Sequence, residues 1–424
     1  VTSPTLASDP TSPAPPERVA DDPGRRELRR LEVAMLAAAV ASFGVMYCTQ
    51  ALLPEIGADF GVGPAAAALT VALTTGGLAL GVLPMSSLAE SFGRGRVMRI
   101  ALVVAAALVL VGAFAGTFGQ LLVVRALVGL ALAGVVAVAM GHLGDEVPPR
   151  VVGSVMGLYV SGNSLGGVLG RLIPSGVGEF GSWRLSVGVM AALALLATAV
   201  FAVLLPAPRR FVAKPFALRV HAAAVADHLR NPDLRRLCLV ALLLMGGFVA
   251  AYNYLTYRLE AAPFRLTPSV TGLVFLAYLA GTVTSTVAGR LADRYGRRPV
   301  LLAAVGVALA GLALTLPDVL GCVVAGLVVF TGGFFGAHAV ASGWVSRRAT
   351  HSRAQASALY LMCYYLGSSL GGTLIGFAWT AGGWPLTVAT VGTLFVLAGV
   401  VALRVGRRPV PARPGPACQT DAPA

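Results

Sequence analysis

The stretch GRLADRYGRRPVL, residues 289–301, decides how the rest of the chain is read. It lies between two long apolar runs, yet it gathers Arg290, Arg294, Arg297 and Arg298 around one acid, Asp293. Charge at that density cannot lie in hydrocarbon, so the stretch is expected to be a short turn joining two membrane helices at a water interface. Gly289 and Gly296 allow close helix approach and a turn with positive φ. Asp293, the lone acid, calls for an arginine or a helix N-terminus as its partner.

The composition around it agrees. Of 424 residues, 57% are hydrophobic and only 12% charged, whereas a soluble domain carries about 25% charge. Apolar runs of membrane-crossing length recur along the chain. A net charge of +14 therefore needs no nucleic acid to explain it, because basic residues collect on the cytoplasmic side of membrane proteins. Cys48, Cys238, Cys322, Cys363 and Cys418 make neither a metal spacing nor an even disulfide set. No metal site or cofactor is expected. No G-x-x-x-x-G-K-[ST] loop is found, which argues against ATP as the energy source.

Taken in order, residues 1–31 read as a disordered cytoplasmic tail. Arg25, Arg26, Arg29 and Arg30 then precede an apolar run over about 31–53. It is too long for a signal peptide and reads as an uncleaved first helix. Further runs follow at about 65–89, 97–115, 119–143, 152–174 and 183–205. A polar break with Pro206, Pro208, Arg209, Arg210 and Lys214 separates them from six more, at about 236–258, 269–291, 299–316, 319–345, 354–378 and 384–404. The expectation is an all-α membrane protein of twelve helices: an N-terminal bundle over 32–205, a cytoplasmic linker over 206–235, a C-terminal bundle over 236–404 and a tail over 405–424. With both termini in the cytoplasm, 27 of the 32 Arg and Lys fall on the inner side, as the positive-inside rule requires.

The halves repeat each other. Glu90 and Asp293 are 203 residues apart, as are Arg150 and Arg353. Phe60-x-Val62-x-Pro64 returns as Phe264-x-Leu266-x-Pro268 at 204. Phe43 and Tyr47 return as Phe248 and Tyr252 at 205, and Gly166-Gly167 as Gly371-Gly372 at the same offset. Such offsets point to parallel six-helix repeats.

The order G-x-L-A-D-R-x-G-R-R resembles the signature loop of the major facilitator superfamily of secondary transporters. YCTQALLPEI and FVAAYNYLTYRL resemble a bacterial inner-membrane, arabinose-efflux-like permease subfamily. The resemblance covers about 32–404. It implies two pseudo-symmetric bundles that rock about a central cavity. A weaker copy of the loop, SSLAESFGRGRV, occupies 86–97, with Ser86 for the leading Gly and Glu90 for the Asp. The resemblance further implies an inner gate made of Gly289, Asp293, Arg294, Gly296, Arg297 and Arg298 with Glu90, Gly93 and Arg94. In it Asp293 would meet Arg150, and Glu90 would meet Arg353. A merely solvated set of charges is the alternative.

Within the helices, Arg125 is the most informative residue. A central Arg costs roughly 2.5–3.5 kcal/mol on insertion scales and so has a partner or a task. VVRALVG resembles the R-x-x-x-G motif of proton-coupled exporters; snorkelling is the alternative. The fifth helix spaces Gly162, Gly166 and Gly170 four apart, a pattern for close packing. It is similar to the glycine motif of exporters but lacks the Gly-Pro pair, since Asn163 follows Gly162. On the resemblance, this helix lies between the halves and slides there. Arg171 reads equally as snorkelling, as a contact to Glu179, or as a ligand.

No acid lies mid-helix; because the resemblance implies that helices 1 and 4 line the cavity, Glu55 with Arg125 is the candidate coupling pair if protons are coupled. Tyr47, Gln50, Asn163, Arg171, Tyr252, Asn253, His338 and Tyr364 form the candidate solute pocket, although any one alone could be a helix–helix contact. The sequence thus leads to a non-enzymatic carrier of a small organic solute, monomeric, in the bacterial inner membrane with both termini cytoplasmic. Proton-coupled export of sugars or drug-like compounds is the leading expectation. Uptake by symport and a transport-inactive membrane sensor are the alternatives. Protons and the lipid bilayer are the other partners expected.

Overall fold

The computed structural model describes residues 24–406, except 149, 209, 210, 212, 214, 217 and 350. Most of the expected N-terminal tail, nearly all of the tail over 405–424 with Cys418, and Arg209, Arg210 and Lys214 of the linker lie outside the described residues.

Among the described residues, twelve long helices form two bundles of six, built mainly on the apolar runs. In the first half they are α1 (Arg25–Tyr47), α2 (Leu69–Phe92), α3 (Arg94–Ala113), α4 (Phe118–Val136), α5 (Val152–Gly178) and α6 (Trp183–Leu204). In the second they are α7 (Pro232–Glu260), α8 (Tyr278–Tyr295), α9 (Arg297–Leu314) and α10 (Leu320–Arg348), followed by α11 and α12. The last two are arms, 353–381 and 384–403, of one stretch that leaves helical geometry at Gly382 and Gly383. Helix α1 begins at Arg25, ahead of the boundary at 31 set by the apolar run. Arg and Glu are good helix formers, so the helix continues into water after its apolar face ends.

Local signals set the ends. Thr117 and Gln120 close a capping box at the start of α4, and the Asn231 side chain caps α7 ahead of Pro232. Helix α1 breaks after Tyr47, passes through a 3-10 turn at Gln50–Leu52 and resumes over Leu53–Phe60 with Pro54 in its first turn. The α2–α3 and α8–α9 turns each pivot on one glycine with positive φ, 96° at Gly93 and 88° at Gly296, a region that side chains rarely adopt. Gly289 differs from expectation, since it sits inside α8 and takes no part in the turn. Both turns mark the same end of the bundle, called here the motif end.

Packing revises one expectation. The α5 glycines seat α1 of their own half: a Cβ at Gly166 would lie 2.6 Å from the Val40 carbonyl, and one at Gly170 would strike Gly44. The second half repeats this, with Gly367 and Gly371 against Leu242 and Gly246 of α7. These glycines lock helices within each half and are not the sliding surface between halves. Spacing reveals that a neighbour is close without revealing which one.

Within the linker, Leu218–Arg230 is a helix. Its Val225 packs with Cys238 of α7 and Leu359 of α11.

Candidate functional site

The α1 break leaves carbonyls at its C-terminal end without helical partners, and α4 supplies a cation to them. Arg125 is buried. Its Nη1 donates to Val45 O at 3.0 Å, Nη2 to Met46 O at 2.6 Å and Nε to Thr70 O on α2 at 3.0 Å. The Cys48 sulfur is a further partner at 3.5 Å. One guanidinium thus ties α1, α2 and α4 together, and the snorkelling alternative fails. Arg125 and Glu55 are not brought together. Glu55 lies beyond the break, where a Cβ at Gly178 of α5 would be 2.8 Å from its Oε1.

Beside this brace the halves meet. Gln50 Nε2 donates to Asn253 Oδ1 at 2.7 Å. The two positions are 203 apart, so near-equivalent residues of the repeat join across the pseudo-twofold axis. Arg171 Nε donates to Gln50 Oε1 at 2.7 Å, and its Nη2 to Tyr278 OH at 3.2 Å. The Arg171 guanidinium lies 4.1 Å from the Tyr47 ring centroid, 4.5 Å from that of Tyr278 and 5.2 Å from that of Phe275. It is buried, not snorkelling, and Glu179 instead accepts from Ser269. Further contacts across the halves at this end are Tyr257 OH to Leu53 O at 2.9 Å, and Ser175 against Gly272.

Behind Tyr278 the second half presents connected rings. Phe248 stacks on Phe334 with centroids 3.7 Å apart and meets Tyr252, Tyr278, Phe330 and Phe335. Tyr252 also shares a 2.6 Å hydrogen bond with Thr331. His338 bonds Tyr360 at 3.0 Å and packs on Tyr364. On α5, Asn163 has its Oδ1 buried without a hydrogen-bond partner. The residues expected from sequence to line a pocket fall into two groups, the first of them buried. Tyr47, Gln50, Arg171, Asn253 and Tyr252 form one centre, and His338 and Tyr364 lie further along the ring series. Sequence reading missed Tyr278 and Phe275, which complete the Arg171 enclosure from the opposite half.

At the motif end, the described ion pairs stay within a half or involve the linker. Asp293 pairs with Arg297 at 3.3 Å and with Arg347 of α10 at 3.1 Å. The partner expected on the resemblance was Arg150; Arg347 takes its place because α10 ends beside the α8–α9 turn. Arg94 pairs with Asp145 and donates to Gly141 O at 2.9 Å. Arg298 reaches Val405 O. Asp233 is held by Arg236 at 3.1 Å and Arg348 at 3.2 Å. Glu90 is half-buried near the end of α2, while Arg294, Arg150 and Arg353 are exposed at this end. Cβ atoms at Gly153, Gly157 and Gly289 would meet nothing within 4 Å.

The family model described as Major Facilitator Superfamily matches residues 35–262 and 259–424. Inner membrane transport protein YnfM of Escherichia coli is 39% identical over 387 residues, covering 91% of this chain and 92% of YnfM. The MFS-type transporter YybF of Bacillus subtilis is 38% identical over 375 residues, covering 88% of this chain and 93% of YybF. Among solved structures, the fold is shared with an inward-facing, occupied bacterial homolog of the human lysosomal transporter Spinster. That match has a TM-score of 0.74 at 16% identity and covers 92% of this chain and 100% of the other. The nucleoside transporter NupG matches with a TM-score of 0.71 at 15% identity, covering 89% and 100%.

Proposed function

Since the chain belongs to the major facilitator superfamily and is a membrane transporter of that type, we propose that it moves a small organic solute by alternating access of its two halves. The reading rests chiefly on one contrast. Polar contacts cross between the halves at the end opposite the motif, through Gln50–Asn253, Tyr257–Leu53 and Arg171–Tyr278. The described ion pairs at the motif end do not cross between the halves. With the motif end in the cytoplasm of a bacterial inner membrane, these cross-half contacts shut the carrier towards the outside.

The direction we assign is export driven by protons. Its support is the exporter-like fifth helix and Glu55, a half-buried acid at the closed end. Arg125 has a different part in this reading: it holds the α1 break in shape. Reconstitution tests the proposal through counterflow and pH-gradient flux in proteoliposomes, across sugars, organic anions and drug-like cations. Solute leaving against an inward proton gradient is the expected result. Accumulation with the protons would instead establish symport, and no counterflow of any solute would favour a transport-inactive sensor. Glu55→Gln should abolish pH-driven flux while leaving counterflow; full pH-driven flux in that variant removes Glu55 as the proton site.

A further inference from the structure

Three arginines are buried among the described residues, and they differ in what neutralises them. Arg258 has Asp318 at 2.8 Å, with Leu316 O at 3.0 Å and Pro317 O at 3.1 Å. Arg125 faces three carbonyls, two of them at the negative end of a helix dipole. Arg171 has one carbonyl, on Gly167, and otherwise the neutral groups of Gln50 and Tyr278 and three aromatic rings. Rings attract a cation, by about 0.5–2 kcal/mol, but do not cancel its charge.

The donor count sharpens the difference. Nε, Nη1 and Nη2 of Arg171 each make one of the described hydrogen bonds. Of the five N–H groups of a guanidinium, one on each terminal nitrogen remains. A pair of such groups fits the two oxygens of a carboxylate. Other polar atoms of α5 are also unspent. Asn163 Oδ1, about two turns towards the motif end, and Ser175 Oγ, about one turn the other way, are buried without a hydrogen-bond partner. So is Thr271 Oγ1 across the boundary between halves. Buried polar atoms without partners are uncommon enough to need a reason.

We propose that Arg171 binds the head group of an organic anion with a planar apolar body, an aromatic carboxylate, and that this anion releases the closed end. The proposal rests on the reading of the chain as an alternating-access carrier. A carboxylate engages one remaining N–H of Arg171 together with the one that Tyr278 holds, its negative charge outcompeting that hydroxyl for the guanidinium. Tyr47 offers a face to the body of the solute, and Asn163 Oδ1 accepts from any hydroxyl or N–H it carries. A ligand shifts an equilibrium only by its differential affinity for the two states. Here the difference is built in: the closed end spends Arg171 on Tyr278 and Phe275 of the other half, and the bound anion takes it back.

The test uses the full-length purified protein with benzoate as probe and benzamide as its neutral isostere. Calorimetry should show benzoate binding tighter by about tenfold or more, the scale of one charge-assisted hydrogen bond. Arg171→Gln should erase that preference. Tyr278→Phe keeps the ring and removes the competing hydroxyl, so benzoate affinity should rise by about threefold or more. Equal binding of the two probes by the wild-type protein overturns the proposal, as does a preference that survives Arg171→Gln. Should Arg171→Gln fail to fold, the isostere comparison and Tyr278→Phe decide alone. Counterflow of benzoate, a neutral sugar and a cationic dye separates the two levels of the reading. Carriage of sugar or dye without benzoate leaves the carrier and removes the anion site. Preferential benzoate binding with no counterflow of any probe does the reverse.

Discussion

At the repeat offset of 203 to 205, Arg125 and Arg171 of the first half fall on 328–330, Val-Val-Phe, and 374–376, Leu-Ile-Gly, of the second. Much else is shared. Both halves turn on a positive-φ glycine at the motif end, both seat the fifth helix of six on the first through glycines, and Gln50 and Asn253 meet near the axis. The difference lies in what each half brings to the boundary. The first brings the buried cation of Arg171, with Arg125 bracing α1 behind it; the second brings the rings of Phe248, Tyr252, Phe275, Tyr278, Phe330 and Phe334. A duplicated scaffold needs the same backbone approaches twice. A pocket that orients a solute needs its two walls to be unlike.

The severest way to break this comparison is to give the first half the residue type of the second. Arg125→Phe removes hydrogen bonds from a charged donor to the Val45, Met46 and Thr70 carbonyls, each contributing about 1.5–3 kcal/mol. Val45 O keeps Cys48 Sγ and Thr70 O keeps Thr74 Oγ1, so Met46 O is hit hardest. We expect a loss of about 4 kcal/mol or more, read as a collapse of thermal stability in detergent. A variant that melts with the wild type would show that the brace is dispensable.

A smaller effect is expected in the aromatic half. Phe248→Ala empties a site bounded by Phe330, Phe334, Phe335, Tyr252 and Tyr278, at a cost of about 3 kcal/mol. Its repeat counterpart Phe43 is only half-buried, so Phe43→Ala should cost about half as much. Thermal melts of the two variants measure this. Equal losses would mean that the ring cluster is no more tightly packed than its symmetry mate.

How much of this the sequence disclosed depended on whether the cause was local. The loops at 86–97 and 289–301 were legible because charge cannot enter hydrocarbon, and the repeat because both halves need similar residues at similar places. That Arg125 needs a partner or a task was legible too, with snorkelling as the alternative, but the partners themselves were not. They are carbonyls released where α1 breaks after Tyr47, a backbone event with no side-chain signature. Arg171 stayed ambiguous because Tyr278 lies 107 residues away, on a helix of the other half. The direction of the glycine seams was hidden for a similar reason. Periodicity describes one helix, and a seam involves two.

The smallest stability effect, and the finest test of the comparison, concerns the two loop acids. Asp293 is largely exposed while it pairs with Arg297 and Arg347, and exposed pairs contribute about 0–1 kcal/mol. Asp293→Asn should therefore leave the melting temperature near that of the wild type. The change should appear in transport. Breaking the tie between the α8–α9 turn and the end of α10 loosens the element that must move as one body, so counterflow should slow by several-fold, to about a third or less. Arg347→Gln should do the same, and the double variant should be no slower than either single one, because both remove one contact. Glu90 sits in the copy that has Ser86 in place of the leading glycine, and Glu90→Gln should slow counterflow less. Equal damage from Glu90 and Asp293 would mean that the loops act as symmetric halves of one gate. Additive damage from Asp293 and Arg347 would mean that each answers to a partner other than the one it holds here.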